Sequence, residues 1–256
     1  MEPLLERLRA RLAPHGLNLL GTTEIAAYDA VVPPAWLLGP RAGVARTAVV
    51  IGNGGGAFWT AFRRRVAADP AAGRVSDPLD GFTRHVVGEA IAPLRDELGA
   101  ARVIFPFELH PLPVSFVHLA ECAGLGRRSL LGVLVHPEYG PWMALRAAIL
   151  VPFALSAPRP ADGFDPCPTC VERPCIPACP VGAVGPAGWD VPRCAAHRIA
   201  APDDCGSGCH SRIACVYGRD HRYPPDALAF HQQGAGRGPF KDASGPPNRL
   251  PEVAGR

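Results

Sequence analysis

The first residues place Leu4, Leu5, Leu8 and Leu12 on one stripe at helical spacing, with Glu6, Arg7, Arg9 and Arg11 elsewhere. This is the pattern of an amphipathic helix laid on a core. Residues 17–21 read as a short strand. Residues 47–51 (TAVVI) read as a buried strand, stopped by the glycine-rich run 52–56. Residues 57–68 and 78–98 read as helices, 101–105 as a further strand, and 113–123 as a helix closed by Gly124. Residues 131–135 and 143–151 are apolar strand candidates around a turn-like segment, HPEYGPW, at 136–142. Interleaved strands and helices predict an α+β fold, with a sheet domain over residues 1–155 and helices on its faces.

The pattern changes after that. A Pro-rich joint, SAPRPADGFDP, covers 156–166. A cysteine-rich module is expected over 167–232. The Gly- and Pro-rich tail, 233–256, has few apolar residues and is expected to be disordered. No secretory signal pattern is visible. The longest apolar stretch, 147–155, is too short for a bilayer and contains Pro152. A net charge of +3 is too small to argue for nucleic acid or an anionic membrane. The expectation is a cytoplasmic protein with neither as partner. The glycine run 52–56 lacks G-x-G-x-x-G and reads as a tight loop. Arg63, Arg64 and Arg65 read as a solvated helix face.

Chemistry concentrates in the cysteines. Of nine, eight lie between Cys167 and Cys215; only Cys122 is elsewhere, in a helix pattern that suits a buried apolar thiol. Confinement to one segment of a long chain argues for metal-bound thiolates over a disulfide framework. The first run, Cys167, Cys170, Cys175 and Cys179-Pro180, has the spacing C-x2-C-x4-C-x3-C-P. It resembles a bacterial ferredoxin run with two residues added in its middle gap, where Pro174 stiffens the loop. In two-cluster ferredoxins the fourth cysteine of such a run ligates the other cluster. That rule requires a second group, and Cys194, Cys205, Cys209 and Cys215 supply it. The crossed assignment puts Cys167, Cys170, Cys175 and Cys215 on one [4Fe–4S] cluster and Cys179, Cys194, Cys205 and Cys209 on a second. Structural zinc is the competing reading, since it also uses four cysteines. His197 and His210 read as surface residues or supports of the ligands.

The stretch 113–151 resembles the core of epoxyqueuosine reductase, a cobalamin- and iron–sulfur-dependent enzyme related to reductive dehalogenases. The matching residues are Pro113-Val114, Leu119-Ala120, Ala123-Gly124-Leu125-Gly126 and His136-Pro137-Glu138-Tyr139-Gly140 with Trp142. WDVPRC, 189–194, resembles that family's segment between its cluster runs. The HPEYGPW block is also similar to HP-x-x-G-x-W stretches of the cobalamin-processing protein of the same superfamily. The resemblance implies a nitroreductase-like core followed by a ferredoxin-like two-cluster module, with His136, Pro137, Tyr139, Gly140 and Trp142 at a corrinoid site. It puts His110 where the reductase carries an acidic proton donor, and Ser129-Leu130-Leu131 where it carries Gly-Lys-Asn. A histidine can still donate a proton. The expected activity is therefore electron transfer from two [4Fe–4S] clusters to a corrinoid or small substrate, not to tRNA. A donor protein of ferredoxin or flavodoxin type would supply the electrons. The alternatives are a ferredoxin-like carrier without chemistry of its own and a cobalamin-processing protein whose clusters reduce cobalt.

Overall fold

A computed structural model describes residues 3–108 and 114–234. His110, Pro113 and the tail from residue 235 lie outside the described residues.

The sheet is antiparallel throughout, in the order Leu19–Glu24, Thr47–Gly54, Met143–Val151, Arg102–Ile104. The apolar run 47–51 forms one of its two inner strands. Val49 and Ile51 turn to one face and Ala48 and Val50 to the other, and all four are fully buried. A strand covered on both faces needs a continuous apolar run, not an alternating one. Helices Leu4–Leu12, Ala57–Ala68 and Pro78–Ile91 cover the first face, burying the predicted stripe of Leu5, Leu8 and Leu12. Helices Ile25–Asp29 and Phe116–Cys122 cover the second through Tyr28, Phe116, Leu119 and Ala120.

Three sequence expectations are modified. The helix expected over 78–98 ends at Ile91, passes through the 3-10 turn Ala92–Leu94, and resumes as Arg95–Leu98. Pro93 has no N–H to donate and breaks the ladder there. The glycine run does not stop its strand, which continues through Gly52, Asn53 and Gly54. Of residues 131–135, only Leu134–Val135 pair, with Arg127–Arg128.

The inner strand Met143–Val151 carries one charge, Arg146. The register shifts there: Ile51 faces Ala147 while Gly52 faces Leu145, so Arg146 is the additional residue of a bulge. Its buried guanidinium donates from Nε to Asn53 Oδ1 at 2.7 Å and lies 4.5 Å from the Phe58 ring centroid.

The chain returns to the sheet domain at its end. Helix Pro225–Gly234 packs Ala227 and Phe230 into the first-face core, and the preceding Tyr223 joins them. Phe230 meets Trp59 and Phe62, and Trp59 Nε1 donates to Asp226 at 2.8 Å. The last helix of the module expected over 167–232 is thus packed in the sheet-domain core. Phe230→Ala should cost about 3–5 kcal/mol, as for other large aromatic deletions. Chemical denaturation of the two proteins measures it, and a loss under 1 kcal/mol would show that this helix is peripheral.

His231 lies on the same helix. Burial, then the charges of Arg146 and Arg212, push it from its ordinary 6.5 down to about 3. The unfolded chain therefore binds a proton that the folded chain refuses, so stability rises with pH over this interval. The contribution is complete above about 6.5 and is lost as pH falls toward 3. Thermal unfolding should show a falling acid limb that His231→Gln flattens; parallel limbs in the two proteins would contradict this.

Candidate metal centre

Eight cysteines gather as two groups of four. Cys167, Cys170, Cys175 and Cys215 line one pocket. Cys179, Cys194, Cys205 and Cys209 line another. Among the described residues no three His, Cys, Asp or Glu side chains are arranged to hold a metal ion directly. Each group is a thiol-lined pocket, not a closed ion site.

Local backbone explains the division. Cys167 lies in the short helix Pro166–Thr169, and the Cys170 N–H bonds back to Pro166 and Cys167. The long middle gap then turns through Arg173, at φ +42°, before Pro174. Cys175 faces the first pocket. One further turn, with Cys179 N–H bonded to the Ile176 carbonyl, sends Cys179 to the second. The hairpin Val184–Gly185/Gly188–Trp189 follows. Asp190 caps helix Val191–Ala200 by accepting from Arg193 N–H at 3.0 Å, and Cys194 is carried on that helix. Cys209 is the N-cap of helix His210–Ala214 and Cys215 follows its end. The five-residue gap between them is therefore a helical turn that links the pockets.

The first pocket is also walled by the sheet domain, through Ser129, Leu130, Leu131 and Val135. Leu130 N–H points to Cys167 Sγ at 3.5 Å. Among the described residues, the second pocket is lined by residues between Cys179 and Gln232. There Ala183 N–H donates to Cys179 Sγ at 3.2 Å. Burial alone would raise the Cys179 thiol, but the N–H groups of Val181, Ala183 and Val184 outweigh it and lower its pKa. Burial, reinforced by neighbouring cysteines, raises Cys175, Cys205, Cys209 and Cys215. Crowded thiols that resist ionisation alone are released when a metal centre takes the charge. His197 and His210 line the second pocket, turned to Asp204: His197 Nε2 is 3.5 Å from its carboxylate and His210 Nε2 is 2.8 Å from its carbonyl. Cys122 is half-buried and apart from both groups; burial pushes its thiol up.

The HPEYGPW segment forms the joint between sheet and module. His136 is buried, and its Nδ1 accepts from the N–H groups of Glu138 at 3.0 Å and Tyr139 at 3.2 Å. The ring proton is therefore on Nε2, and burial lowers the pKa. The Tyr139 ring covers Gly54 so closely that a Cβ there would fall 2.3 Å from it. Tyr139 Oη accepts from Asn18 at 3.2 Å. Gly140 and Gly218 press on each other's neighbouring backbone: a Cβ on Gly140 would lie 2.2 Å from the Tyr217 carbonyl, and one on Gly218 2.2 Å from the Tyr139 carbonyl. Trp142 is fully buried, and Pro137 is half-buried at the turn. Tyr139 meets the His221 ring, Gly140 abuts the Tyr217 backbone and Trp142 contacts Tyr223 and Arg212, so these three lie where sheet and module meet. Tyr217, Gly218 and Arg212 complete the joint and carried no sequence signal beyond the irregular gap after Cys209.

No family model matches the chain. An epoxyqueuosine reductase of Listeria monocytogenes is 30% identical over 134 residues, which cover 47% of this chain and 32% of the relative. The cyanocobalamin reductase / alkylcobalamin dealkylase of Bos taurus is 26% identical over 175 residues, 59% of each. The matched segments thus span from a third to three-fifths of these relatives. Among solved structures, the C. elegans B12-trafficking protein CblC matches over 89% of this chain and 90% of its own, at TM-score 0.61 and 17% identity. Epoxyqueuosine reductase from Bacillus subtilis matches over 88% of this chain and 70% of its own, at TM-score 0.57 and 17% identity. Relatives and structural neighbours alike include both proteins whose motifs the chain resembles, and the fold is theirs.

Proposed function

We propose that this chain is an iron–sulfur redox protein related to epoxyqueuosine reductase and the cobalamin-processing proteins. Two [4Fe–4S] clusters, on Cys167/Cys170/Cys175/Cys215 and on Cys179/Cys194/Cys205/Cys209, would pass electrons to a corrinoid or small substrate on the sheet domain. The observation that carries this reading is the pair of four-cysteine pockets, one of which is completed by the sheet domain itself. Clusters bound there supply low-potential electrons. The chain's own part is to hold thiolates, supply N–H donors to sulfur, and fix the order of the centres. Cys175 and Cys179 are four residues apart, at most about 14 Å even when extended, so the two centres are neighbours. The second pocket, lined by residues from Cys179 on, suits receipt from a ferredoxin- or flavodoxin-type donor; the first, walled by Ser129 to Val135, suits delivery.

Within the segment His136, Pro137, Tyr139, Gly140 and Trp142, Gly140 abuts Tyr217 of the first pocket's lining and Trp142 contacts Arg212 of the linking helix. All five also remain the residues proposed for a corrinoid site, where Trp142 Nε1 is a buried donor without a partner among the described residues. His110 remains the proposed proton donor. That the HPEYGPW segment is used as a joint favours the second reading, a ferredoxin-like carrier whose sheet domain docks a partner. Titration with cob(II)alamin separates the two. A spectral change with saturable binding supports a corrinoid recipient, as does the bovine relative's activity; an unchanged spectrum leaves the carrier.

A further inference from the structure

The gap between Cys209 and Cys215 has no counterpart in the regular ferredoxin spacing, and it is folded as helix His210–Ala214. At its centre, three residues from each cysteine, is Arg212. Its Nε and one terminal nitrogen both donate to the Pro141 carbonyl, at 3.0 and 2.5 Å. Its guanidinium carbon lies 4.8 Å from the Trp142 ring centroid and 5.1 Å from that of Tyr223. Those two rings meet edge to face with centroids 5.7 Å apart, so the cation is held in an aromatic corner. No carboxylate neutralises it among the described residues. Among the described residues Trp142 Nε1 and Tyr223 Oη, both buried, have no hydrogen-bond partner either.

An uncompensated guanidinium at such a place has a natural counter-charge. A cube held by four thiolates is negative, and becomes more so on reduction. A fixed cation on the link between two such cubes stabilises their reduced states, and net charge is among the factors that set cluster potential. The arginine also ties that link to the carbonyl before Trp142, in the turn that joins module and sheet. We propose that Arg212 is a positioning residue that fixes the linking helix against the sheet domain and, through its charge, raises the reduction potential of the clusters on either side. The proposal rests on the iron–sulfur reading above.

The test compares the full chain with Arg212→Gln and Arg212→Lys, each purified without oxygen and titrated with dithionite while reduced clusters are followed by electron paramagnetic resonance. Glutamine keeps a donor to Pro141 and removes the charge; lysine keeps the charge and gives up the planar fork. The expected result is a lower potential in Arg212→Gln, on the order of a tenfold change in the reduced-to-oxidised ratio, which is about 59 mV for one electron. Arg212→Lys should stay near the parent. Loss of iron from the glutamine variant alone also supports a role for the charge. A fully loaded glutamine variant with parental potentials would overturn the proposal, and so would loss of iron from both variants, which would leave the charge without a role. A parent protein without iron and sulfide would instead refute the cluster reading itself.

Discussion

Cys175→Ala should empty the first pocket and spare the second, while Cys179→Ala should do the reverse. The two residues are four apart in a single run, and a simple reading of that run would put them on one cluster. The backbone separates them: the turn from Ile176 to Cys179 carries the second thiol to the pocket shared with Cys194, Cys205 and Cys209. Each variant should therefore retain roughly half of its iron, about four atoms of eight for two four-iron clusters. The remaining paramagnetic signals should differ between the variants, because Leu130 and Ala183 donate to different sulfurs in different surroundings. Iron analysis and spectra of the reduced proteins make the comparison. Identical losses and identical residual signals, at unchanged thermal unfolding, would contradict the crossed arrangement.

Gly140→Ala should be among the most damaging substitutions outside the cysteines. The residue has φ +56°, where an L side chain costs about 1–2 kcal/mol. Its Cβ would also meet the Tyr217 carbonyl at 2.2 Å, and that obstacle is backbone, unable to rotate away. Overpacking of this kind adds about 1–3 kcal/mol, for a sum of roughly 2–5 kcal/mol in a fold whose whole stability is about 5–15 kcal/mol. Gly163→Ala is the control: φ is +76°, with nothing within 4 Å of the added atom, so only the backbone part applies. Denaturant midpoints measure both. Equal losses in the two variants would mean that Gly140 is not pressed against the module. Because Gly140 belongs to the segment that resembles a corrinoid site, any loss of cofactor in this variant must be judged against that loss of stability.

Much of this was legible in the residues. The leucine stripe and the TAVVI run state their own burial, because periodicity and β-branched continuity are local properties. Cysteine spacing is also local, and it carries the ferredoxin rule that the fourth cysteine of a run serves the other cluster. Other features depend on where distant segments meet. Arg146 interrupts an apolar run, and only the bulge opposite Ile51 and Gly52 shows how a charge enters that strand. Phe230 looks like part of the cysteine module until its ring is seen against Trp59 and Phe62. HPEYGPW reads as a turn with a buried Trp, but nothing in it states that Tyr217 and Gly218 close over Gly140. The break at Pro93 was readable and follows from proline's missing donor.

Iron and acid-labile sulfide in the chain purified under anaerobic conditions test the central claim most directly. The account predicts a brown protein with about eight iron and eight sulfide per chain, two cubes on eight thiolates. A colourless protein holding zinc on the same cysteines, with neither iron nor sulfide, would contradict it.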